Sequence, residues 1–126
     1  MKNIEHLEQA TLFQWASLNE ERIPALKNLF AIPNGGHRHK AVAAKMRAEG
    51  VKAGVPDAFL AFPWDGYSGL FIEMKAGRNK TTPAQDEWIG RLCQAGYAVA
   101  VCYGWEAAKK EILDYLGVED GKDNDR

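Results

Sequence analysis

The sequence has few of the residues that staple, anchor or strongly charge a protein. Its two cysteines, Cys93 and Cys102, form no CxxC pair. They read as small buried hydrophobes in a reducing compartment rather than as a disulfide. No apolar run approaches the roughly 20 residues of a membrane helix, and the start, Met1 to Glu8, has no apolar signal region, so a cytosolic protein without membrane contact is expected. Net charge is close to zero: Lys plus Arg number 16 against 17 Asp plus Glu, a formal −1. Whole-domain basicity, the usual footprint of a nucleic-acid binder, is thus missing, and such a role must rest on local charge. There is no internal repeat. The segment Asn34-Gly35-Gly36-His37 is too short and wrongly patterned for a phosphate-cradling loop. His37 and His39 have no cysteine or third histidine near them in sequence, which argues against structural zinc and leaves them facing phosphate or solvent.

What is present is a core. Of the 126 residues, 46% are apolar, enough for one domain, taken as residues 1–117 with a polar tail at 118–126. A helix is predicted from Ile4 to Leu18, with Ile4, Thr11, Leu12 and Trp15 on one face and Glu8 in the middle of it. A strand follows at Leu26 to Ile32, stopped by Pro33-Asn34-Gly35-Gly36. A basic helix is expected at His37 to Glu49, with Val42 and Met46 inward. Val55 to Phe62 and Leu70 to Lys75 read as a hairpin. Thr82-Pro83-Ala84-Gln85 has the form of a capping box and opens a helix that ends at Gly96. Tyr97 to Tyr103 is an uninterrupted apolar strand, the pattern of one covered on both faces. A last helix, Trp105 to Leu116, closes at Gly117. This order implies an α/β fold with a mixed sheet flanked by helices.

The chemistry concentrates in Leu70-Phe71-Ile72-Glu73-Met74-Lys75. Strand side chains alternate, so Phe71, Glu73 and Lys75 share one face. Asp57 begins the neighbouring strand of the hairpin, and its carboxylate can converge with that of Glu73. Two converging carboxylates repel, and a divalent cation relieves the repulsion; hard oxygen ligands suit Mg²⁺ or Mn²⁺. An ammonium beside such a metal, here Lys75, can orient an attacking water and stabilise charge on a phosphodiester. Whether it also takes the proton depends on its pKa. Glu8 is either a further carboxylate of this site or a cap at a helix end. Gln85 is either a capping residue alone or part of the site. Arg38, His39, Lys40, Lys45 and Arg47 precede Asp57, and Lys75, Arg78 and Lys80 follow Glu73; such cations supply most nonspecific DNA affinity, while a solvated helix face is the alternative for the first group.

Glu8 on the first helix, Gly54-Val55-Pro56-Asp57, Ile72-Glu73-Met74-Lys75 and Gln85 on the next helix together resemble the VRR-NUC domain, a branch of the PD-(D/E)xK nuclease superfamily. The resemblance covers about Glu5 to Leu116. It implies the restriction-endonuclease-like αβββαβ core. It implies Asp57, Glu73, the backbone carbonyl of Met74 and Glu8 as ligands of Mg²⁺ or Mn²⁺, Lys75 as the catalytic lysine, and Gln85 as its support. It further implies a 5′-phosphate product, and stand-alone members acting as homodimers on branched DNA such as four-way junctions, in a bacterial or phage-infected cell.

The reading is therefore a metal-dependent DNA endonuclease. The rivals are a catalytically silent DNA-binding module that keeps the fold and a hydrolase of small nucleotides. Retention of the acids and Lys75 argues against the first, and the wide spread of cations from Arg38 to Lys80 against the second. Trp64 and Tyr67 at the hairpin tip, with Phe62 leading into it, are candidate dimer contacts; packing back on the domain and stacking on an unpaired base are the alternatives.

Overall fold

Among the described residues, the helical and strand periods of the sequence resolve into four α-helices and four short strands. A computed structural model describes residues 2–33 and 39–121, with side chains from residue 4 on. In chain order the elements are α1 (Lys2–Leu18), a 3-10 turn (Pro24–Asn28), β1 (Leu29–Ala31), α2 (Lys40–Ala48), β2 (Ala58–Leu60), β3 (Leu70–Lys75), α3 (Pro83–Gln94), β4 (Ala98–Tyr103) and α4 (Trp105–Leu116). The sheet runs β1-β2-β3-β4. β2 pairs antiparallel with both β1 and β3, and α3 carries the chain across so that β4 lies parallel to β3.

Alternation gives the sheet two different faces. Leu29, Leu60 and Leu70 are in cross-strand register, as are Ala31, Ala58 and Ile72, and Met74 pairs with Cys102. Most of this set is buried against Leu12 and Ala16 of α1 and Ala108, Ile112 and Leu113 of α4. Full burial of a side chain such as Ile72 or Met74 contributes roughly 1.5–3 kcal/mol, so this layer holds β3 in place while its other face carries ionisable groups. The opposite face bears Phe30, Phe59, Phe71, Glu73 and Lys75.

Several elements are shorter than their patterns suggest. The expected strand from Leu26 begins only at Leu29, because Pro24 opens a 3-10 turn that buries Leu26. β2 is confined to Ala58–Leu60: Pro56 has no N–H to give the ladder, and Asp57 uses its side chain rather than its backbone toward β3. The strand Tyr97–Tyr103 is not covered on both faces. As β4 it is an edge strand, with Val101 38% and Tyr103 49% exposed. On α1 the buried stripe is Leu12 and Ala16, and Ile4 is exposed. Val42 of α2 points outward, Met46 is half-buried, and the helix buries no residue. Cys93 is exposed and only Cys102 is buried.

The capping box at Thr82 and Gln85 is formed, and α4 ends at Gly117 in the left-handed conformation. The hairpin tip closes on Asp65 and Gly66, both at positive φ (52° and 87°), with Trp64 and Tyr67 bridged across it; that pair of dihedrals matches the twist of flanking strands. Phe62 stacks near Trp64, and Tyr115 Oη donates to the Phe62 carbonyl at 2.7 Å, so the tip is tied to α4. Trp64 and Tyr67 remain about half exposed. No helix of the described residues is long and apolar enough to cross a membrane.

Candidate active site

The segment Gly54-Val55-Pro56-Asp57 delivers its acid through a close approach of two backbones. Gly54 has φ +91°, and a Cβ there would lie 2.8 Å from the backbone carbon and oxygen of Ala84 in the first turn of α3. Only glycine allows that approach, which brings the Asp57 strand against the helix that carries Gln85. The Asp57 carbonyl accepts from Ile32 N–H at 2.8 Å, extending the β1–β2 pairing by one step. The β2–β3 register, continued by one residue, sets Asp57 opposite Glu73. Asp57 Oδ2 then accepts from Met74 N–H at 2.7 Å.

Glu73 is only 3% exposed and Lys75 only 7%. Gln85 Nε2 donates to Glu73 Oε2 at 3.1 Å, and Lys75 Nζ stands 4.0 Å from the same oxygen. Gln85 is also the reciprocal partner in the α3 cap. Its Oε1 accepts from Thr82 N–H at 2.9 Å, and its own N–H donates to Thr82 Oγ1 at 3.2 Å. Capping and site functions are therefore one device: locking the amide oxygen at the helix start aims the amide nitrogen at Glu73.

Burial pushes the Glu73 carboxyl up to about 8, reinforced by the charge of Asp57 and by a hydrogen bond between the two acids. Asp57 is also raised by burial, against the opposing pull of the Met74 N–H and of its bond with Glu73. Both acids are thus held above the usual carboxylate range, each by burial and Glu73 also by the charge of Asp57. Nearby Glu5 pushes both acids up, while Lys75 pulls both down. The arrangement is a buried acid pair strained by its own charge, the condition a bound cation would relieve.

The helix-1 acid that acts on this pair is Glu5, one turn before Glu8. Glu5 Oε2 accepts from Asn79 Nδ2 at 3.1 Å, and Asn79 is held in turn by Tyr103 Oη, which donates to its carbonyl at 2.6 Å. Glu8 is engaged elsewhere: its Oε1 accepts from Trp105 N–H at 2.7 Å and caps the start of α4. Helical period in the sequence points to Glu8 and not to Glu5, Asn79 or Tyr103. Extending the buried stripe of α1 back from Ala16 and Leu12 through Glu8 would have exposed Glu5.

The described members of the expected cation set lie on exposed segments. Arg78 and Lys80 stand on the loop after Lys75, and His39, Lys40, Lys45 and Arg47 at or within α2. Lys40, Lys45, Arg47, Arg78 and Lys80 form no ion pair among the described residues. Arg38 and His37 lie outside the described residues.

A mixed sheet flanked by helices, with Glu73 and Lys75 on β3 and Asp57 just before β2, fits a nuclease-type domain that processes DNA. The chain belongs to the VRR-NUC family: the family model for the VRR-NUC domain matches residues 2–106. A solved structure described as a VRR_NUC domain protein superposes with a TM-score of 0.76 at 30% identity, over 93% of this chain and 91% of that one. The comparison with curated proteins gave no match.

Among the described residues no group of three or more His, Cys, Asp and Glu side chains is gathered into a ready metal cage. The donor set, Asp57 and Glu73 with Glu5 nearby, nevertheless suits Mg²⁺, which is commonly held by one or two carboxylates together with substrate phosphate rather than by an all-protein cage.

Proposed function

We propose that this protein is a Mg²⁺- or Mn²⁺-dependent endodeoxyribonuclease, selective for DNA structure and acting on branched DNA such as four-way junctions. The observation that carries the reading is the buried Asp57–Glu73 pair, with Lys75 and Gln85 on the same Glu73 carboxylate. A silent binding module has no use for this pair, because burying ionisable groups costs stability.

Asp57 and Glu73 would hold the ion, with the Met74 carbonyl as a further ligand. Such an ion supplies charge neutralisation on the phosphate and makes water a better nucleophile. Lys75 orients the attacking water and offsets the charge that develops as the new P–O bond forms and the bond to the 3′-oxygen breaks, leaving a 5′-phosphate. Gln85 fixes the rotamer of Glu73. Glu5 takes the part in the acidic centre that the sequence reading gave to Glu8, and Asn79 fixes its carboxylate.

The two helix-1 acids separate experimentally. Glu8→Gln keeps an acceptor for Trp105 N–H and is expected to cleave within about threefold of wild type, whereas Glu8→Ala loses the cap and about 1 kcal/mol of stability. Glu5→Gln is expected to lose at least about tenfold in rate, since it changes the charge beside the pair. Nuclease rates and denaturant titrations check both, and an inactive Glu8→Gln beside an active Glu5→Gln would reverse the assignment.

Lys40, Lys45 and Arg47 are proposed to contact phosphates rather than to read bases. Replacing all three with Ala should weaken binding about equally on unrelated sequences and lower the salt slope by roughly one unit per residue. An unchanged slope in a titration from low to high salt would make them a solvated helix face.

The working unit is proposed to be a homodimer, since resolving a four-way junction needs two cuts and two-fold dimers are the commonest oligomer. Trp64 and Tyr67 keep enough exposed aromatic surface for an interface, although Phe62 and Tyr115 tie the hairpin to its own domain. Cleavage of duplex, flap, single-stranded and four-way DNA, run beside sedimentation at micromolar protein, tests the proposal. Junction cutting by a dimer is expected. Full junction activity in a monomer would end the dimer assignment, and equal rates on all four substrates would end the structural selectivity.

A further inference from the structure

The sheet face that bears the acids also bears a chain of aromatic rings. Phe30, Phe59 and Phe71 are cross-strand partners on β1, β2 and β3. Phe59 stacks on Phe71 with centroids 4.2 Å apart and 23° between planes, and Tyr97 meets both edge-on. Phe30 stands perpendicular to Phe59 at 5.7 Å and 87°. Among the described residues no other ring meets Phe30, and it is 50% exposed on an edge strand. Phe59 and Phe71 each lie two residues along their strands from Asp57 and Glu73, about 7 Å on the same face.

We propose that the Phe30 end of this stripe is a stacking platform for an unpaired base flanking the phosphate at the Asp57–Glu73 pair. The inference rests on the nuclease reading and narrows its substrate to DNA with an unpaired or splayed nucleotide beside the cut. A strand cleaved at the pair must pass over this face, so the occupant that leaves the acids accessible is the substrate itself. A base inside a duplex has both faces stacked on its neighbours. Only an unpaired one can offer a face to Phe30, and stacking of this kind accepts any base. Exposed Lys40, Lys45 and Arg47 before β2, and Arg78 and Lys80 after β3, supply charge for the backbone of such a strand.

The test is binding in EDTA, which separates it from cleavage. The probes are a blunt duplex and a matched duplex with a two-nucleotide unpaired segment that carries 2-aminopurine. Wild type should bind the second more tightly and change its fluorescence. Phe30→Ala and Phe30→Leu should each lose about 5- to 100-fold on the unpaired substrate and less than about twofold on the blunt one, while Phe30→Trp keeps the preference. Leu retains the apolar bulk without a ring face, so its loss cannot be ascribed to misfolding from a cavity. Equal weakening on both substrates, or an unchanged preference in the Ala and Leu variants, would overturn the proposal. So would a change of sedimentation mass in those variants, which would place Phe30 between two copies of the chain. If wild type cleaves DNA with Mn²⁺ while Phe30 proves neutral, the platform fails and the nuclease reading stands. If wild type neither binds nor cleaves DNA, both fail.

Discussion

Glu73→Gln is expected to abolish cleavage while making the metal-free protein more stable than wild type at neutral pH and above. The acid lies on a buried strand face, and its carboxyl is pushed from 4.5 to about 8 by burial and by Asp57. A carboxyl raised in the folded state binds its proton more tightly there than in the unfolded chain. Its favourable contribution is therefore complete below about pH 4.5 and is lost as pH rises toward 8. Metal-free wild type should lose stability across that window, by a few kcal/mol at most. A Gln amide can donate to Asp57 as the protonated acid does, and its oxygen can still accept from Gln85 Nε2, so the variant should show a flatter pH profile. Asp57→Ala should likewise abolish cleavage, but it also leaves Met74 N–H without its acceptor at 2.7 Å, a loss of about 1–3 kcal/mol if that group stays dry. Denaturant midpoints between pH 5 and 8.5, with nuclease rates at each pH, check both variants. Wild-type rates in both would show that the reaction occurs elsewhere.

Lys75→Ala carries the second large effect. The ammonium is buried, 4.0 Å from Glu73 Oε2, and counts for little in the overall attraction of DNA because exposed cations precede Asp57 and follow Glu73 in the chain. Single-turnover cleavage should fall by at least about 10²-fold, as for a positioned charge or acid-base group, while affinity for a duplex changes less than about threefold. Affinity lost together with a normal single-turnover rate would make Lys75 a binding residue alone. Lys75→Arg should recover little, since a planar guanidinium does not replace a compact ammonium in a buried slot.

Much of this centre was legible because strand alternation and a capping motif are local rules. Glu73 and Lys75 share a face by period alone, and Thr82-Pro83-Ala84-Gln85 announces its cap in four residues. The family resemblance rested on the same short stretches, and the match over residues 2–106 bears it out. Tertiary placement was not legible. Nothing local distinguishes Glu5 from Glu8: the choice is made by α4, whose first turn takes Glu8, and by Asn79, which takes Glu5 from 74 positions away in the chain. The apolar run of β4 suggested cover on both faces, yet strand order puts it at an edge. Val42 fitted an inward stripe, but α2 buries no residue for such a stripe to serve. Patterns fix which residues share an element. They do not say which neighbour, if any, an element will meet.

The most direct test is cleavage of labelled branched and linear DNA by purified wild type and Glu73→Gln, with Mg²⁺, with Mn²⁺ and with EDTA, read together with thermal stability under the same conditions. The account predicts cleavage by wild type with either metal and none in EDTA. It predicts that Mn²⁺ raises the wild-type midpoint more at pH 8 than at pH 6, because the ion competes with protons for the raised Asp57–Glu73 pair, and that Glu73→Gln shows neither cleavage nor the metal-dependent shift. Undiminished cutting in EDTA, or a Glu73→Gln variant that cuts and binds metal as wild type does, would contradict it.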